Sequence, residues 1–187
     1  MLVQWIGAAD GGELRFRPSG LIRYFESEDC IVYLDTPRQS AECVWPVFDL
    51  ETQSLSITAW KRRLGSAFFA LIFDKQTGEL HCLRDRSGQR SGYYQMTAGQ
   101  VSVGSLAAEV NACYQPQALC TELALFKLGC SGYLPTGQSL FPNVKEVLPG
   151  EHLVFSPGQL QPRRLELLEH RLTAKAEAQD RDAWVSG

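Results

Sequence analysis

Few residues of this 187-residue chain have the types and spacing to do chemistry. Arg84-Asp85-Arg86 sets three charges in a row. Such a triplet either meets a charged substrate or forms an ion-paired corner at a strand end, and the corner is expected here because the carboxylate already has its counter-ions beside it. The three histidines, His81, His152 and His170, lie far apart in the sequence. His81 alternates with apolar neighbours and has no companion ligand near it, so all three are expected to be structural. The six cysteines are Cys30, Cys43, Cys82, Cys113, Cys120 and Cys130. None forms a CxxC pair, and the spacings around Cys113, Cys120 and Cys130 do not present a tetrahedral zinc site, so no metal is expected. The even count permits a disulfide framework, but without an export signal reduced structural thiols are the expected state. A thiol works as a nucleophile only when a base activates it. Cys30 and Cys43 remain the residual candidates for hydrolytic chemistry.

The elements that position these residues are mostly extended. Leu21–Phe25 and Ile31–Leu34 are rich in β-branched and aromatic residues, and Leu55 and Ile57 suggest a further short strand. Asp10-Gly11-Gly12 is a turn signal. No helix of convincing length is expected in residues 1–64. Ala67–Phe73 is an unbroken apolar run, too short for a typical helix, and reads as a strand buried on both faces. Asp74–Gly78 is a hairpin connection into Glu79–Arg84, where Leu80 and Cys82 share one face while Glu79, His81 and Leu83 share the other. Ser91–Gln95 and Val101–Val103 complete an expected antiparallel meander of about four strands. Helical spacing then takes over: a short helix over 105–112 with Ser105 as N-cap, and a second between Pro116 and Leu128 with Leu119, Leu123 and Phe126 as its apolar stripe and Gly129 as its stop. Residues 139–155 return to extended structure. The polar stretch 161–187 is read as a helix around Leu165, Leu168 and Leu172 followed by a tail or linker. That leucine face suits either docking to a partner or packing on the same domain. The expected class is α+β with antiparallel sheets, divided into a domain at 1–160 and a C-terminal segment at 161–187.

Three stretches in register carry a family resemblance. Gly65–Asp74, with Gly78, Leu80, Arg84-Asp85-Arg86, Gly88 and Gly92-Tyr93-Tyr94, is similar to a string G-x-F-A-F-A-L-W-D … G-x-L … A-R-D-R-x-G-x-x-P-L-Y-Y. Val103–Glu109 is similar to an F-A-S-E segment that opens a helix. Gly132–Pro135, Ser139–Phe141 and Val147–His152, which includes Pro149 and Gly150, resemble G-Y-V-P … T-L-F … V-x-x-L-P-P-G-H. These strings belong to the glutaminase domain of asparagine synthetases and other class II glutamine amidotransferases. The resemblance covers roughly half the chain and implies an N-terminal-nucleophile hydrolase fold. That fold is an αββα sandwich of two antiparallel sheets with flanking helices, here with a reduced N-terminal part. The signature residues it places are Asp74, Gly78, Arg84, Asp85, Arg86, Gly88, Tyr93, Tyr94, Glu109, Pro149 and Gly150.

Active members of that family cut glutamine with a cysteine at residue 2, whose free α-amine helps as base. Here residue 2 is Leu2. The family's N-G-E-[IL]-Y-N-type string, which supplies oxyanion donors, has no counterpart in residues 1–64. Arg62-Arg63-Leu64 matches a family pocket arginine only in composition. The resemblance together with these departures leads to the expectation of a pseudo-glutaminase with no catalytic residues and an unknown substrate-binding set. No S-G-G-x-D-S pyrophosphate loop occurs either. An ATP-pyrophosphatase synthetase, fused or separate, is therefore the expected partner, and ATP and Mg belong to that partner rather than to this chain. β-Lactam and carbapenam synthetases and lasso-peptide cyclases show why ammonia is dispensable: an amine of the substrate itself captures the adenylated carboxylate. The alternative is a stand-alone binding module for a biosynthetic peptide or small molecule. A homodimer is possible in either case.

Composition narrows the remaining classes. With 44% hydrophobic and 21% charged residues the chain is ordinary globular material. A formal charge of −3, with basic runs no longer than Lys61-Arg62-Arg63, makes nucleic acid an unexpected partner. The longest apolar run, seven residues at Ala67–Phe73, falls far short of the roughly 20 a membrane helix needs. Residues 1–10 lack a basic n-region, so no signal peptide is read there. A soluble, cytoplasmic protein is expected.

Overall fold

Short apolar runs separated by turns cannot form long helices, but they can each bury one or both faces as strands, and they do so here in two sheets. A computed structural model describes residues 2–6, 13–17, 22–36, 48–49, 54–55, 60, 64, 67–97, 100–132, 134, 137–159 and 161–167. Its strands are β1 (Leu2–Ile6), β2 (Glu13–Arg17), β3 (Ile22–Glu26), β4 (Cys30–Asp35), β5 (Phe48–Asp49), β6 (Ser54–Leu55), β7 (Phe69–Asp74), β8 (Leu80–Arg84), β9 (Tyr93–Thr97), β10 (Gln100–Gly104), β11 (Lys145–Glu146), β12 (Glu151–Phe155) and β13 (Arg163–Leu167). The helices are α1 (Ala107–Cys113) and α2 (Thr121–Phe126), the latter running into a π-helical turn at Lys127–Ser131. One sheet has the order β11-β9-β10-β1-β2 and the other β13-β12-β8-β7-β4-β3, all antiparallel; β5 and β6 pair separately.

Apolar faces stack in layers. Between the sheets lie Val3, Val101 and Val103 from one and Tyr33, Phe69, Leu71, Leu80, Cys82, Leu153 and Phe155 from the other. The outer face of the six-stranded sheet buries Val32, Leu34, Ala70, Ile72 and Leu83 under the helical residues Trp60 and Leu64. The outer face of the five-stranded sheet buries Leu2 beneath Val110 of α1 and beside Val144. Helical residues therefore cover both outer faces, giving the expected α+β sandwich. Each fully buried Leu or Phe contributes on the order of 2 kcal/mol. Among the described residues no helix is long and apolar enough to cross a membrane.

Several expectations hold in detail. The run ending at Phe73 is buried on both faces, and β8 alternates as read, with Leu80 and Cys82 inward and Leu83 outward. Others are corrected. The four strands from 67 to 104 are not one meander: β7 and β8 pair in one sheet, β9 and β10 in the other, and the chain crosses between sheets after Arg84. Period-two alternation identifies faces but not pairing partners, so it cannot distinguish these arrangements. The N-cap of α1 is Leu106 rather than Ser105, and no side chain caps it. α2 is six residues, not thirteen; Leu119 lies before it, Phe126 is exposed, and no α2 residue is buried, so the expected stripe is not a core face. The left-handed stop is Gly132, not Gly129. Leu165 sits in a strand, β13, paired to β12 rather than in a helix, because its amides find the free edge of the six-stranded sheet. The Asp10-Gly11-Gly12 turn, Ile57, Leu168, Leu172, His170, Cys43 and the structural context of Arg62 and Arg63 lie outside the described residues.

Candidate functional site

Arg84 and Asp85 end β8 and begin the crossing between sheets. Asp85 is fully buried. Its carboxylate accepts from the Ser87 hydroxyl at 2.7 Å and from the backbone amides of Gln89 at 3.0 Å, Arg90 at 3.2 Å and Phe68 at 3.3 Å. Its own carbonyl accepts from Gly88 and Gly150. Arg84, 5% exposed, donates to the carbonyls of Arg90, Val147 and Gly88 and to Glu146 Oε1 at 2.7 Å. The expected ion pair of Asp85 with its flanking arginines is therefore corrected: Asp85 is held by a hydroxyl and backbone amides, Arg84 pairs with Glu146, and together they bind the end of β8 to the loop before β9 and to the β11–β12 connection. Gly88 has φ +64°, and a Cβ there would come 2.8 Å from the Pro149 ring. At Gly92 a Cβ would collide with the Phe69 ring. Arg84, Asp85, Gly88, Pro149 and Gly150 are therefore one interlocked corner whose polar groups face each other, leaving none poised for a substrate. Arg86 is exposed beside it.

The other signature residues are dispersed. Asp74 accepts from the Gln76 and Thr77 amides and shapes the β7–β8 turn, with Gly78 at φ +69° closing it. Tyr94 packs on the inter-sheet core, edge-on to Phe155 at 5.5 Å, while Tyr93 faces the cluster under α1.

A different environment surrounds the start of β1. Leu2 is 5% exposed, packed with Val110 and Val144 and flanked by Tyr93, Ala107, Cys113 and Phe141. Next to it opens a concavity of about 410 Å³ lined by Leu2, Gln4, Arg15, Phe16, Glu109 and Cys113, with Ala112. Gln4 donates to the Cys113 carbonyl at 3.4 Å. The Cys113 thiol donates to the Glu109 carbonyl at 3.2 Å, one turn back in its own helix. Glu109 Oε2 is buried and has no hydrogen-bond partner among the described residues. Sequence reasoning placed Glu109 in the signature but missed its meeting with Cys113, Gln4 and Arg15; the spacing of four on α1 is the only local signal, since β1 is far away in sequence.

The remaining candidates are buried rather than poised. Burial pushes the Cys30 thiol up and the Cys82 thiol well up, which keeps both protonated and un-nucleophilic at neutral pH. Cys30, Cys82, Cys113 and Cys120 are free thiols. His81 and His152, expected to be isolated, meet across β8 and β12 with Nδ1 of one 3.1 Å from Nε2 of the other. Burial lowers the His81 pKa, against the opposing pull of Glu79 and Asp74. The two rings come together because β8 pairs with β12, a partnership that no local pattern in either strand announces.

Comparison with known proteins identifies the family. Residues 58–166, more than half of the chain, match a family model described as a glutamine amidotransferase domain. The matched span contains the whole Arg84–Asp85 corner. A search of curated proteins finds no match.

Proposed function

The chain belongs to the glutamine amidotransferase domain family, and from that membership we propose that it is a non-catalytic glutaminase-like domain of an asparagine-synthetase-like system that forms amides or lactams with ATP. Its role is to scaffold or partner the synthetase, fused or separate, which binds ATP and Mg and activates a carboxylate. An amine of the substrate then captures the activated carboxylate, so no ammonia from glutamine is needed. The setting proposed is cytoplasmic.

The observation that carries this reading is the environment of Leu2. A glutamine-cutting thiol needs a base beside it and donors for the oxyanion. Residue 2 instead places an isobutyl group in an apolar cluster of Val110 and Val144. The buried thiols Cys30 and Cys82 are held protonated and offer no replacement. The scaffolding role draws support from Leu119, Leu125, Phe126 and Leu128, which lie along 119–128 with side chains 43–85% exposed, an apolar run suited to a protein partner.

Glutamine hydrolysis by the purified chain tests the proposal. Neither glutamate nor ammonia is expected above the uncatalysed background. Glutamate release that disappears in a cysteine-to-alanine variant would overturn it.

A further inference from the structure

A second cavity, of about 450 Å³, lies where one edge of each sheet comes together, remote in sequence from the β1 end. It falls in the size range of small-molecule sites. Tyr94 and Met96 of β9 and Leu153 of β12 line it together with Pro162, and the first three extend the inter-sheet core. Its polar lining comes from Asn143, Lys145, Gln161 and Arg164.

Register explains why two cations face an apolar core. Lys145 on edge strand β11 lies opposite Tyr94, and Arg164 on edge strand β13 lies opposite Leu153, so both side chains emerge on the inter-sheet face of their sheets. Arg164 donates to the buried Glu151 carboxylate at 2.6 Å, and Glu151 also accepts from the Leu148 amide at 2.6 Å. That carboxylate neutralises Arg164 and holds its guanidinium in place. Lys145 has no ion-pair partner among the described residues, which leaves the cavity with one uncompensated positive charge. Asn143 Oδ1 is buried without a donor among the described residues. An orphaned buried acceptor costs about 1–3 kcal/mol unless something supplies an N–H or O–H.

We infer that this cavity binds a carboxylate carrying a neighbouring amide N–H and an apolar side chain, the terminal unit of an N-acylated amino acid. The carboxylate meets Lys145 and the anchored Arg164. The N–H donates to Asn143 Oδ1, and the side chain rests on Tyr94, Met96, Leu153 and Pro162. An amide suits this position better than an ammonium, which the uncompensated charge of Lys145 would repel. The unit is shared by a free N-acyl amino acid and by the C-terminus of a peptide. The competing explanation for inward charges on edge strands is protection against edge-to-edge aggregation, which requires no ligand.

Calorimetric titration of the full chain separates these explanations. The probes are N-acetyl-L-leucine, its C-terminal amide, 4-methylpentanoate and the tripeptide Ala-Ala-Leu. Saturable one-site binding of N-acetyl-L-leucine is expected, with the amide at least about tenfold weaker. Tighter binding of Ala-Ala-Leu supports a peptide terminus as the source, and equal binding supports a free acyl amino acid. Lys145→Ala changes an exposed residue and is expected to weaken N-acetyl-L-leucine about tenfold, whereas Lys75→Ala, on the distant β7–β8 turn, leaves it unchanged. Asn143→Ala is expected to weaken N-acetyl-L-leucine about fivefold but not 4-methylpentanoate, which has no N–H to donate. Equal binding of acid and amide, no saturable binding of any acid, or an unchanged affinity in Lys145→Ala would overturn the inference. None of these outcomes bears on whether glutamine is hydrolysed.

Discussion

The Arg84–Asp85 corner and the start of β1 use buried polar chemistry in opposite ways. At the corner both carboxylate oxygens of Asp85 and the carbonyls of Arg90, Val147 and Gly88 are drawn into bonds that tie three chain segments together. At β1 the residue that begins the strand is apolar and buried, while a nearby carboxylate oxygen on Glu109 has no hydrogen-bond partner among the described residues. The corner lies within the span that matches the family, and its polar groups are spent on holding chain segments together. At β1 the apolar environment of Leu2 supports the proposed non-catalytic reading. A signature can therefore persist for the sake of the fold and say little about activity.

The contrast predicts a graded set of losses. Asp85→Ala should be the most damaging substitution, costing about 3–5 kcal/mol, because it strands the buried Phe68 amide, the part-buried Gln89 and Arg90 amides and the Ser87 hydroxyl. A denaturant midpoint within error of the parent would remove the corner from its structural role. Leu2→Ala should cost about 2–3 kcal/mol, at the lower end for buried leucine because the adjoining concavity lets the site relax. A loss as large as that of Asp85→Ala would mean the two regions are equally rigid.

A smaller effect should come from the histidine pair. His81 prefers the neutral form when folded, with its pKa below the ordinary 6.5, so the unfolded chain binds more protons as pH falls. Its contribution to stability is complete above about pH 6.5 and declines as pH drops toward its folded-state pKa. Around the ring, His152 is in contact, Glu79 and Asp74 favour the cation, and Arg163 opposes it. Thermal melts of the parent should therefore lose stability between pH 7 and 5 more steeply than melts of His81→Leu. Identical slopes would show that this ring does not titrate differently on folding. Leu128→Ser, at a side chain 85% exposed, should change stability by less than about 0.5 kcal/mol while, under the proposed function, weakening association with the proposed synthetase partner. A large stability loss there would mean that the chain itself covers this surface.

How far the sequence could be read depends on the range of the interaction. Local features were legible: the doubly buried strand at β7, the turn at Asp74–Gly78 and the alternation along β8. Each rests on residues within a few positions of one another. The helical reading of Leu165 failed, as did the long stripe through Leu119, Leu123 and Phe126. A leucine at helical spacing does not reveal whether a sheet edge is waiting for its amides, or whether any surface exists to bury a stripe.

The amino-acid sequence alone determined which segments are apolar, where the chain turns, and which family strings it resembles, because side-chain hydrophobicity and glycine conformations act locally. Only the tertiary structure decided that β8 and β9 belong to different sheets and that His81 meets His152. It alone set Glu109 and Cys113 beside Leu2, and Lys145 and Arg164 on the same cavity. Hydrogen-bond partners for a strand, and neighbours for its side chains, come from whichever distant segment the packed layers bring alongside, and that choice is made by the whole chain at once.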